Sequence, residues 1–146
     1  MTHLLADAAA THAFGRQLAQ RLPPGSTLLL RGDLGAGKTC LVQGLAAGLG
    51  ITEPITSPTF ALAQHYPLPH AGGLVHLDLY RLELAAAADE LFAQEEEEAQ
   101  ALGALLAVEW PERLSVLPAG CWQLQLELAD PTDPDAGRRL ALIEPR

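Results

Sequence analysis

The stretch STLLLR (Ser26–Arg31) runs directly into GDLGAGKT (Gly32–Thr39). The first part is a short apolar run bounded by Pro23-Pro24-Gly25 on one side and glycines on the other, which reads as a buried strand. The second part matches G-x-x-x-x-G-K-[ST] in the setting that pattern requires, after a strand and opening a helix. Glycines at these spacings let backbone N–H groups curl around phosphates at the positive end of a helix. Lys38 then supplies a point charge to the β- and γ-phosphates, and the Thr39 hydroxyl is a Mg²⁺ ligand. These residues indicate a P-loop that binds a nucleoside triphosphate.

Working outward, Leu41, Val42, Leu45 and Leu49 place one apolar stripe on a helix from Lys38 to Leu49, closed by Gly50. Upstream, Ala10, Phe14, Leu18 and Leu22 recur every four residues in a helix from Asp7 to Leu22, after a short apolar start at His3–Leu5. Downstream, Thr56 to Phe60 is a loop, because Pro58 biases its predecessor away from helix. Strands are predicted over Ala61–Tyr66, Gly73–Leu79, Leu102–Glu109, Cys121–Leu128 and Arg138–Ile143. The Ala- and Glu-rich segment from Leu82 to Gln100 is helical by propensity, and Asp130 to Gly137 is a turn-rich linker. The order predicts an α/β P-loop NTPase fold with a mostly parallel central sheet, antiparallel edge strands and flanking helices. No repeat or linker divides residues 1–146, which are expected to form a single domain.

A phosphate loop does not say what the nucleotide is for. The remaining chemistry must come from the strand ends that carry acids, Asp78 after Leu74–Leu77 and Glu109 after Leu105–Val108. Either can hold Mg²⁺ or orient the attacking water; the plainer alternative is a carboxylate that caps a strand end. Thr59 lies about twenty residues beyond the loop, where other P-loop proteins sense the γ-phosphate, but Ser57-Pro58 serves equally well to form a turn. Ser57 and Thr59 are therefore switch candidates.

Composition removes several classes. The chain of 146 residues carries 18 acidic against 9 basic side chains, a formal charge of −9, so it lacks the basic patch of an independent nucleic-acid binder. Lys38 is the only lysine and asparagine is absent, which excludes a GTPase reading guanine through Asn-Lys-x-Asp. Cys40 and Cys121 form no C-x-x-C pair, no apolar run approaches the ~18 residues of a membrane span, and the N-terminus lacks a basic signal start. A soluble cytoplasmic protein is expected. His65, His70 and His76 fit no zinc spacing, and His76 reads as a residue of a half-buried strand.

GDLGAGKT, TSPTF, HLDLYRL and VEWPER, in this order and spacing, resemble the bacterial TsaE family of P-loop ATPases, required for threonylcarbamoyladenosine modification of tRNA. The likeness runs from about Thr11 to Arg139. It implies a slow ATP cycle (ATP/ADP with Mg²⁺) in a complex with TsaB and TsaD, with tRNA met only through that complex. It further implies that Gly35, Ala36, Gly37, Lys38, Thr39 and Cys40 line the nucleotide, and that Thr39 and Glu109 form the Mg²⁺ site. Asp78, Glu109 and Lys38 are the implied residues of hydrolysis, with Thr11 and Arg138 as nucleotide contacts from the two ends of the chain. Trp110 either packs at the mouth of the site or is simply buried.

Two departures stand out. Cys40 occupies a position where a second Thr is usual, and Leu82–Gln100 replaces an acidic-glycine-tyrosine segment with alanines and Glu95–Glu98. The glutamate run reads as a solvated helix face, or alternatively as part of a partner interface. Two further functions compete with the ATPase. A small-molecule kinase needs lid arginines, and only Arg81 and Arg113 lie between Leu41 and Gly137. A nucleotide-gated binding module would need ATP but not turnover.

Overall fold

Three consecutive leucines at the centre of the chain's sheet set the architecture. The computed structural model describes residues 2–33, 35–56 and 62–145. Strand β2 (Thr27–Arg31) lies between two parallel neighbours, β5 (Leu105–Glu109) and β6 (Trp122–Asp130), and Leu28, Leu29 and Leu30 are fully buried. An unbroken apolar run is what a parallel strand covered on both faces requires. Each leucine contributes about 2 kcal/mol by leaving water. Successive side chains point to opposite faces. Leu28 and Leu30 therefore join one core with Leu18, Leu41 and Leu45, and Leu29 joins the other with Phe92.

The first core is roofed by α1 (Ala8–Arg21) and α2 (Lys38–Leu49), the second by α3 (Ala85–Leu102). Asp7 starts α1 by accepting the Ala10 N–H at 2.9 Å. Gly50 ends α2 and Gly103 ends α3, both left-handed, as helix C-terminal glycines commonly are. The remaining strands are β1 (Thr2–Leu5), β3 (Ala63–Pro67), β4 (Gly73–Asp78) and β7 (Asp133–Ile143). Among the described residues the sheet runs β1-β7-β6-β2-β5-β4-β3. The inner strands β6, β2, β5 and β4 are parallel, while β3, β7 and β1 pair antiparallel toward the edges.

The predicted fold class agrees with this arrangement, and four local expectations are corrected. Asp130–Gly137 is not a linker: Asp130 pairs with Asp133 across a tight hairpin. Its side chain accepts the Thr132 N–H and hydroxyl at 2.9 and 2.7 Å, so the turn-forming residues are used up in the reversal itself. The third helix begins at Ala85 and keeps Leu102, because the left-handed Gly103 and not the apolar pattern marks its end. His76 is fully buried, since β4 is an inner strand. Glu95 is buried too, while Glu97 and Glu98 face solvent, so the glutamate run is solvated only in part. Ser57 and Thr59 lie outside the described residues.

Candidate nucleotide-binding site

The glycine turn leaves the end of β2 and enters α2. Gly35 and Gly37 have φ of 83° and 104°, left-handed values that favour glycine, and the Ala36 N–H between them donates to the Asp33 carbonyl oxygen at 3.0 Å. Gly32 is fixed by space as well, because a Cβ there would lie 2.5 Å from the Leu126 carbonyl oxygen. Arg138 braces the turn from outside. Its guanidinium donates to the Ala36 and Gly35 carbonyl oxygens at 2.9 and 3.3 Å, and to Pro134 at 2.7 Å. With the carbonyls of the turn held on that side, Arg138 is tied to the loop backbone.

Lys38 opens α2 and is 5% exposed. Its Nζ donates to the Gly32 carbonyl oxygen at 2.6 Å, lies 4.2 Å from the centre of the Trp110 ring, and sits 3.9 Å from Glu109 Oε1. An ammonium removed from water is stabilised by such a set of a carbonyl, an aromatic face and a carboxylate. Trp110 is the one non-glycine residue with positive φ among the described residues, at 59°. That backbone costs about 1 kcal/mol or more. It directs the ring over Lys38 at the point where β5 gives way to the 3-10 turn Pro111–Arg113. Tyr80 packs on Trp110 with ring centres 4.8 Å apart, and the Arg113 guanidinium lies over Tyr80. Trp110 thus packs at the site itself, and Arg113 is engaged there instead of hanging free as a lid.

The acids come from adjacent parallel strands, where Asp78 is the register partner of Glu109. Glu109 is 4% exposed, and its Oε2 meets His76 Nε2 at 2.5 Å. Asp78 Oδ1 accepts the Tyr80 N–H at 2.9 Å. Burial holds the Asp78 carboxyl above the usual carboxylate range, and the Glu109 charge pushes the same way. The Tyr80 N–H, His76 and Lys38 partly offset this. The sheet register therefore brings Lys38, Asp78 and Glu109 to one end of the parallel strands, and Thr39 follows Lys38 in the first turn of α2.

Thr11 and Cys40 line a neighbouring cavity of about 250 Å³ together with Asp7, Gly37, Gly137 and Arg138. Thr11 is buried and donates to the Asp7 carbonyl oxygen at 3.3 Å. The Cys40 thiol donates to the Ala8 carbonyl oxygen at 3.3 Å, and burial pushes its pKa up. The three histidines do not assemble. His65 instead meets Glu95 at 2.7 Å and shares with Glu95 and Glu98 a group whose donor atoms lie within 4.8 Å of one another.

A family model described as "Threonylcarbamoyl adenosine biosynthesis protein TsaE" matches residues 5–139. The chain belongs to the TsaE family. It is 51% identical over 125 residues to the tRNA threonylcarbamoyladenosine biosynthesis protein TsaE of Synechocystis, covering 82% of this chain and 75% of that one. Against the Nostoc protein of the same name it is 43% identical over 141 residues, covering 97% and 83%. The crystal structure of Bacillus subtilis YdiB superposes with a TM-score of 0.74 at 29% identity, over 100% of this chain and 86% of that chain. The TsaE-family chain thus has the P-loop NTPase fold.

Sequence reasoning missed the burial of His76 and its contact with Glu109. A usable signal was present: His76 precedes Asp78 by one strand repeat, so both side chains project from the same face of β4. No helix among the described residues is long and apolar enough to cross a membrane.

Proposed function

We propose that this chain, acting as a single domain, binds ATP with Mg²⁺ and hydrolyses it slowly to ADP and phosphate. The cycle serves threonylcarbamoyladenosine modification of tRNA in the cytoplasm, in a complex with TsaB and TsaD. The observation that carries this reading is the convergence of Lys38, Asp78 and Glu109 on the glycine turn of a TsaE-family chain. The net charge of −9 fits a component that meets tRNA only through its partners.

Phosphoryl transfer asks a protein for positioning and electrostatic stabilisation more than for covalent chemistry. Gly35, Ala36, Gly37, Lys38, Thr39 and Cys40 line the phosphates in this reading, with Lys38 opposite the β- and γ-phosphates. Thr11 and Arg138, which line the cavity beside Cys40, contact the nucleotide in this reading, and Arg138 also fixes the loop. The oxygen donors fit a hard cation, and Thr39 with Glu109 would hold it. When bound, Mg²⁺ offsets charge on the phosphate oxygens. Asp78, with Glu109 beside it, orients the attacking water and accepts its proton. The water oxygen bonds to the γ-phosphorus, the bond to the β–γ bridging oxygen breaks, and ADP leaves. Ser57 and Thr59 remain candidates for sensing the γ-phosphate.

The first test is steady-state ATP hydrolysis by the chain with and without TsaB and TsaD. Slow turnover that rises with the partners is expected. Turnover indifferent to them would remove the complex from the reading, and ADP release dependent on a small acceptor would replace it with a kinase.

Asp78→Asn separates chemistry from stability. Loss of the water-orienting base is expected to lower turnover about 100-fold or more. Because the folded pKa of Asp78 is raised, the folded chain holds this proton more tightly than the unfolded chain. Ionised Asp78 therefore subtracts from stability above its folded pKa, and the penalty fades as pH falls through that value toward the ordinary one. At pH 7 the neutral asparagine is expected to melt at the parental temperature or above it, and below pH 4 the difference should vanish. An Asp78→Asn chain that hydrolyses no ATP yet sustains many cycles of tRNA modification would favour the nucleotide-gated module.

A further inference from the structure

Glu109 is the most enclosed acid of the candidate site, and its two oxygens have different surroundings. Oε1 faces the Lys38 ammonium at 3.9 Å, while Oε2 is held by His76 Nε2 at 2.5 Å. His76 is 0% exposed and Glu109 is 4% exposed. An ionised carboxylate only accepts hydrogen bonds, so the short contact requires the proton on Nε2. His76 Nδ1 is then left buried without a hydrogen-bond partner among the described residues. A native interior rarely keeps an unpartnered polar atom, and a histidine used only to fill the core would be replaced by an apolar side chain at no such cost. What the imidazole supplies is one donor aimed at one oxygen of Glu109. The anchor is rigid, because β4 and β5 pair in register at His76↔Ala107 and Asp78↔Glu109.

We infer that His76 is a positioning residue: its Nε2–H locks Glu109 Oε2, so that Oε1 stays turned to the phosphate loop and serves nucleotide-bound Mg²⁺. The inference rests on the ATPase reading for its consequence in turnover, but not for its consequence in binding. A carboxylate free to rotate would divide its time between orientations and lose the pre-set geometry that makes a metal-holding residue effective.

The test is a series of His76→Gln, His76→Asn and His76→Leu, with ATP binding measured calorimetrically in EDTA and in excess Mg²⁺. Glutamine places an amide N–H near the position of Nε2, asparagine is too short, and leucine has no donor. Binding in EDTA is expected to stay within about threefold of the parent for every folded variant. The gain in affinity on adding Mg²⁺ should fall about tenfold or more in the Asn and Leu variants and be largely retained in Gln. Turnover should follow the same order. If the Leu variant does not fold, the Asn and Gln pair decides the matter.

A merely structural histidine would weaken binding equally with and without Mg²⁺, and would leave Gln no better than Asn. Either pattern overturns the inference, as does a folded Asn variant with the parental Mg²⁺ gain. A parent that binds Mg²⁺-ATP but never hydrolyses it, with or without partners, overturns the ATPase reading instead and leaves the binding comparison valid.

Discussion

Lys38→Ala is expected to reduce ATP turnover by about 1000-fold while the chain remains folded. The ammonium is the one lysine charge in the protein and lies within the ring of groups that the phosphates would join. Removing it withdraws the charge that offsets the leaving phosphates and leaves Glu109 and Asp78 as neighbouring anions without their nearest cation. Asp78 should then ionise less readily still, since Lys38 is one of the groups that lower its pKa. The fold has less at stake. Lys38 contributes a cation–π contact worth about 1–2 kcal/mol, a hydrogen bond to Gly32 and a 3.9 Å ion pair with Glu109. Against these stands the cost of holding an ammonium out of water, and Glu109 keeps its His76 partner when Lys38 is gone. A melting temperature within a few degrees of the parent is therefore expected. Lys38→Arg should fail almost as badly, because a planar guanidinium does not fit the place of a compact ammonium between Gly32 and the Trp110 ring. The measurement is phosphate release with TsaB and TsaD present, alongside ADP binding and thermal melting. A folded Lys38→Ala chain turning over at the parental rate would remove Lys38 from the chemistry.

The phosphate loop was legible because its requirements are local. Glycines at fixed offsets, a lysine and a hydroxyl state the geometry within eight residues, and the strand before and helix after are short-range patterns. Asp78 and Glu109 were legible as strand ends that follow apolar runs, and the sheet register then makes them neighbours. What could not be read was pairing across distance. Nothing in HLDL alone says that β4 is an inner strand, so His76 reads as half-buried until β3 is placed outside it. Glu95 hides within a run of four like residues, and only its place on α3, facing His65 on β3, distinguishes it from Glu97 and Glu98. Arg138 shows the same limit from the other end of the chain. The short pattern that marks it as a nucleotide contact does not show its bonds to carbonyls of the loop about one hundred residues away in sequence. The hairpin at Asp130–Asp133 was obscured for a different reason, since turn-forming residues signal a reversal but not how tight it is.

The largest stability effect is expected at Gly44, where two helices touch. The helices α1 and α2 meet backbone to backbone through Gly15, Gly44 and Gly48, and there is no room for a methyl group at any of them. A Cβ on Gly44 would lie 2.2 Å from the His12 carbonyl oxygen and 3.1 Å from Gly15 Cα; one on Gly15 would lie 2.4 Å from the Leu41 carbonyl oxygen. These obstacles are backbone atoms, which cannot turn aside as a side chain would. Gly44→Ala must therefore lift α1 from α2, loosening the contacts of Leu18, Leu41 and Leu45 in the core beneath. Alanine's better helix propensity returns about 1 kcal/mol, against an overpacking cost of roughly 3 kcal/mol or more for a rigid clash. The net loss should lower the urea midpoint clearly and the melting temperature by several degrees. Gly120→Ala is the control: its φ is +75° but the space around it is open, so it meets only the local backbone penalty of about 1 kcal/mol. The same displacement reaches the site, because α2 begins at Lys38 and α1 carries Thr11 and the Asp7 cap beside the Cys40 cavity. ADP affinity should consequently fall in Gly44→Ala and not in Gly120→Ala. A Gly44→Ala chain as stable as the parent would mean that the two helices do not pack at the distance their glycines imply.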